Sequence, residues 1–105
     1  MSLTNYERGN CLKTEVEFKM SDTYTDPSGS KAFVDVIKPD ATYLVSSGTG
    51  SRETTGKYYY YFETSSTDPL GIYVVVWKGM HNLGGGFGYK NIVQRRAINI
   101  IYEND

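Results

Sequence analysis

Cysteine and histidine are almost absent from this chain: Cys11 and His81 are the only ones among 105 residues. One thiol forms no internal disulfide, so the fold does not depend on an oxidising compartment. A single Cys and a single His also leave a zinc site two ligands short unless carboxylates fill it. A charge excess is missing too. Eleven Lys and Arg stand against 12 Asp and Glu, for a net charge of −1, without the basic surplus of a dedicated nucleic-acid binder. Long apolar runs are lacking: Ile72–Trp77 is the longest, far too short to cross a bilayer, so no membrane insertion is expected. Residues Met1–Asn10 show no apolar central region of a secretory leader. A soluble chain follows as the expectation, virion-associated or at a cell surface if it belongs to a longer protein.

Helical periodicity is the last absence, and strand signals take its place. Leu12, Thr14, Val16, Phe18 and Met20 alternate with Lys13, Glu15, Glu17 and Lys19, the period-2 pattern of a strand with one wet face. Further strands are read at Ala32–Ile37, Thr42–Val45, the tyrosine run, Ile72–Lys78 and Ile92–Tyr102, with a short one near Arg52–Thr55. Turn chemistry separates them, including Asp26-Pro27, Pro39-Asp40 and Asp68-Pro69. These signals predict one all-β domain over residues 1–105, a single antiparallel β-sandwich of about seven strands, with 1–8 as a loose N-terminal arm. Tyr73–Trp77 is apolar on both faces, so it belongs inside a sheet with a neighbour on each side.

The run Tyr58-Tyr59-Tyr60-Tyr61-Phe62 divides by parity on a strand. Tyr59 and Tyr61 share their side with Lys57 and Glu63, which marks it as the wetter face. Tyr58, Tyr60 and Phe62 are therefore assigned to the core, and Tyr59 and Tyr61 are left as candidate contact residues.

Asp68-Pro69-Leu70-Gly71-Ile72-Tyr73 looks like the tyrosine corner of immunoglobulin-like sandwiches. Thr55-Gly56-Lys57-Tyr58 reads as a Gly-x-Tyr strand entry, and Asp26-Pro27 precedes the strand Ala32–Ile37. The order of these motifs over nearly the whole chain resembles immunoglobulin-like domains of prokaryotic surface proteins and of phage or provirus structural proteins. The resemblance implies that Tyr73 is the corner tyrosine and that Trp77 lies on the same strand. Val75 stands where antibody domains carry cysteine. It implies no catalytic residue and no cofactor.

The chemistry-bearing residues give little else. His81 falls in the glycine-rich segment Gly79–Gly88, read as a flexible connection between the last two strands. That segment lacks the following helix and the Gly-Lys-Ser/Thr ending of a phosphate loop. Phe87 within it and Tyr89 directly after it are candidate contact residues, because such loops carry binding function. Asp26, Asp40 and Asp68 flank prolines and are expected to close turns; no calcium-loop spacing is present, and no metal site is assigned. Adjacent Arg95 and Arg96 point to opposite faces of a strand and make no basic stripe. Cys11 is read as a small apolar residue at a strand start.

The function expected is a non-enzymatic structural or binding module. One form is a small phage- or provirus-type structural protein acting through a protein partner or self-association. The other is an extracellular carbohydrate-binding or adhesion module stacking sugars on surface tyrosines.

Overall fold

The computed structural model describes residues 4–82, 86 and 88–102. Ten strands follow one another: β1 Thr4–Glu7, β2 Cys11–Glu17, β3 Lys19–Met20, β4 Thr23–Tyr24, β5 Phe33–Ile37, β6 Tyr43–Thr49, β7 Ser51–Thr54, β8 Lys57–Glu63, β9 Gly71–Asn82 and β10 Tyr89–Ile101. They form a five-stranded sheet in the order β1-β10-β9-β5-β6, a three-stranded sheet β2-β8-β7, and the small pair β3-β4.

The pairing and the number of the strands differ from the sequence-based expectation. The larger sheet is mixed and not purely antiparallel, because β1 runs parallel to β10 with Thr4 beside Ile98 and Glu7 beside Ile101. Residues 4–7 of the segment read as a loose arm are thus paired. The strand count exceeds about seven because β1 and the two-residue β4 are too short to show alternation, and because the strand expected over Leu12–Met20 divides at Phe18 into β2 and β3, which join different sheets. Ser21 and Asp22 join β3 to β4 with φ of 51° and 64°, the left-handed pair of a type I′ hairpin turn.

One core lies between the two larger sheets. Leu12, Val16, Tyr58 and Phe62 enter it from the three-stranded sheet, and Val34, Val36, Tyr73, Val75, Trp77 and Ile100 from the five-stranded one. The arrangement is compatible with a β-sandwich. Trp77 is fully buried, and its Nε1 donates to Thr14 Oγ1 at 3.1 Å, joining the two layers. Room for its ring depends on Gly50, where a Cβ would lie 2.6 Å from Trp77 Cζ3. Phe18 meets Tyr58 edge-on, centroids 5.7 Å apart.

β9 and β10 pair from Gly71–Ile100 to Asn82–Tyr89, and β9 has β5 on its other side. The strand therefore runs past Lys78, where the sequence signal stops. Gly79 permits this: its missing Cβ would sit 3.1 Å from Pro27. Continued alternation then turns His81 inward, at 4% exposure. The imidazole belongs to a buried strand end, which corrects its reading as part of a flexible connection.

Tyr58→Ala is expected to lower the unfolding free energy by about 3–5 kcal/mol, as large-to-small aromatic changes in cores do. Tyr61→Ala should cost less than about 1 kcal/mol, the range of surface changes. Chemical denaturation measures both, and a Tyr58→Ala loss below about 1 kcal/mol would contradict the packing described.

Candidate functional site

The outer faces of the two larger sheets carry exposed aromatic and apolar side chains. On the three-stranded sheet Tyr59 is half-buried and Tyr61 is 56% exposed. Their rings meet at 75° with centroids 5.7 Å apart. Lys13 Nζ lies over both, 5.0 and 6.0 Å from the ring centres, a cation–π arrangement. The same ammonium reaches Glu15 at 3.0 Å, and that hydrogen bond leads the upward shift of its pKa. Tyr58 and Phe62 face the core, and Tyr60 packs half-buried against it. Phe87 lies outside the described residues. Tyr89 is described by its backbone, which opens β10 opposite Asn82.

The five-stranded sheet presents a surface that the motifs of the sequence do not single out. With Tyr73, Val75 and Trp77 facing inward, Ile72, Lys78 and Met80 face out, joined by Phe33 from β5 and Val93 and Arg95 from β10. Ile72, Met80, Val93 and Phe33 are 52%, 47%, 49% and 38% exposed. The last three border a groove of about 510 Å³, with Ser47 and Asn91 as polar neighbours. The available signal was the two-sided apolarity of β9, since a strand with one face in the core must turn its other apolar face outward.

Carboxylates hold this surface and the loops in place. Asp35 accepts the amide of Ser47 at 2.7 Å and pairs with Lys78 Nζ at 2.7 Å. Burial raises its pKa, but these two partners outweigh burial and hold it below the usual range. Ser47 has φ of 52° where the β5–β6 register slips, so Asp35 fastens a bulge. Asp26 accepts from Arg52, the Gly56 amide and Tyr58 Oη, and the Arg52 guanidinium chiefly depresses its pKa. It thus ties two distant loops, where a local turn was expected; its partners are 26 to 32 residues away. Asp40 and Asp68 do close local turns, on the amides of Thr42 and Ser65. Asp68 also pairs with Lys38 Nζ at 3.0 Å. Beside it, Tyr73 Oη donates to the Pro69 carbonyl at 2.7 Å.

Among the described residues no three His, Cys, Asp or Glu side chains gather to hold a metal ion. His81 Nε2 is buried without a hydrogen-bond partner among them, and Cys11 is exposed at the start of β2. No helix among the described residues is long and apolar enough to cross a membrane. Compared with known proteins, the chain matches no family model, no curated protein and no solved structure.

The titratable groups set a pH profile. Asp68 is depressed in the fold, first by the Ser65 amide, so the unfolded chain binds more protons near and below its pKa of about 4. Its contribution is present above that value and lost as pH falls. Burial, with Asp68 adding, pushes the Tyr73 phenol up from 10.0 to about 12. Its contribution is complete below the unfolded pKa and lost as pH rises through that window. Denaturation at a series of pH values should show stability falling at both extremes. Asp68→Asn should flatten the acid limb and Tyr73→Phe the alkaline limb; an unchanged alkaline limb in Tyr73→Phe would contradict the assignment.

Proposed function

We propose that this chain is an immunoglobulin-like β-sandwich acting as a non-catalytic structural or binding module through protein–protein contacts. The strand order supports the fold reading. The longer strands divide into β10-β9-β5-β6 and β2-β8-β7, a partition like that of immunoglobulin-type sandwiches, and the Tyr73–Pro69 bond has the geometry of a tyrosine corner. The observation that carries the functional reading is the exposed apolar outer face of the five-stranded sheet, built from Phe33, Met80, Val93 and Ile72. Exposed apolar patches on a sheet mark interaction surfaces. A small phage- or provirus-type structural protein is the context we favour, on the resemblance of its ordered turn and tyrosine motifs.

The rival is an extracellular carbohydrate-binding or adhesion module using Tyr59 and Tyr61. Their rings stand at 75° to each other and so form no coplanar platform for a sugar. A glycan array carrying whole polysaccharides separates the two readings. No ligand is expected. A saccharide whose binding disappears in the Tyr59→Ala/Tyr61→Ala double variant would overturn the protein-contact reading in favour of the adhesion module.

A further inference from the structure

The outer face of the three-stranded sheet and the groove on the five-stranded sheet differ in charge. On the three-stranded sheet Glu15, Glu17 and Glu63 point outward with Lys13 and Lys57, and Glu53 adds its field at Lys13. Carboxylates outnumber ammonium groups there, and Tyr61 is the more exposed of the two tyrosines on this face. The groove on the five-stranded sheet has the reverse balance. Lys31 and Lys78 border it, and Arg95 shares its face opposite Val76. Asp35 is already engaged by Lys78 and Ser47.

We propose that a second copy of this chain docks in the groove with the outer face of its three-stranded sheet, seating Tyr61 between Phe33, Met80 and Val93. The proposal rests on the protein-contact reading and names the partner. A tyrosine ring suits such a site: it brings about 150–250 Å² of mostly apolar surface and a hydroxyl that needs a polar partner, and tyrosine is enriched at interface centres. Ser47 and Asn91 stand in the groove as partners for that hydroxyl. The Glu-rich surround of Tyr61 meets Lys31 and Arg95, Lys78 being paired with Asp35, which fixes orientation and makes association sensitive to salt.

The two surfaces lie on opposite sides of one molecule, so the contact is heterologous. Each copy presents a groove on one side and a tyrosine face on the other, and copies add head to tail.

Sedimentation of wild type, Val93→Glu, Tyr61→Glu and an equimolar mixture of the two variants tests this, with reductant present because Cys11 is exposed. Wild-type mass should rise with concentration at low salt and fall back in about 0.5 M salt, where charges are screened beyond a few Å. Each variant alone should be monomeric. The mixture should form a dimer and stop there, because the intact groove of Tyr61→Glu accepts the intact tyrosine face of Val93→Glu. Circular dichroism checks folding, and Met80→Glu substitutes if Val93→Glu does not fold. A wild type that stays monomeric at all concentrations overturns the proposal. So does association that the mixture fails to restore, which indicates a symmetric or strand-edge contact. A monomer with an empty glycan array leaves the protein-contact reading standing with a different partner, whereas saccharide binding removes that reading itself.

Discussion

Trp77 sits between the two sheets, and the rest of the molecule is arranged around it. Its ring fills the space that Gly50 leaves open, and its indole N–H reaches Thr14 on the opposite layer. A buried indole without such an acceptor would leave a costly unpaired donor. Its inward orientation fixes the parity of β9. Tyr73, Val75 and His81 must then face inward with it, and Ile72, Lys78 and Met80 must face out. Because β9 is flanked by β5 and β10, the same parity passes to Phe33, Val93 and Arg95. The exposed apolar face is thus a consequence of where one large side chain is buried.

Carboxylates fasten the loops at the ends of the structure. Asp26 joins the segment after β4 to the β7–β8 turn, where Gly56 at φ 75° brings its amide to the carboxylate. Asp68 gathers Ser65 and Lys38 beneath the Tyr73 hydroxyl bond. Charge-assisted bonds of this kind are stronger than neutral ones, and they hold the loops in place. The outer sheet faces differ: one exposes Phe33, Met80 and Val93, the other bears Tyr59 and Tyr61 among carboxylates.

Much of the fold was legible in the sequence where the signal is local. The alternation of Leu12 to Met20 and the split of the tyrosine run need only the two-residue period of a strand. The turns at Asp40 and Asp68 need only neighbouring amides. What escaped depends on partners distant in the chain. Gly79 and His81 look like loop because a glycine in a strand weakens it, and the reason it is tolerated, the approach of Pro27, lies on another segment. Asp35 and Asp26 serve long-range partners for the same reason. The parallel pairing of β1 with β10 joins residues more than 90 positions apart, and no local pattern marks it. The candidate surface was half legible: the apolarity of β9 on both sides is in the sequence, but the neighbours that complete the groove come from β5 and β10.

The central claim is the proposal that copies of this chain dock on one another through their outer sheet faces. It is tested most directly by amide NMR of the wild-type chain over a dilution series. The account predicts concentration-dependent shifts at Phe33, Met80 and Val93 on one face and at Lys13, Tyr59 and Tyr61 on the other, with the core amides of Val36 and Val75 unmoved. Shifts confined to the strand edges of β6 or β7, or no shifts on either face, would contradict it.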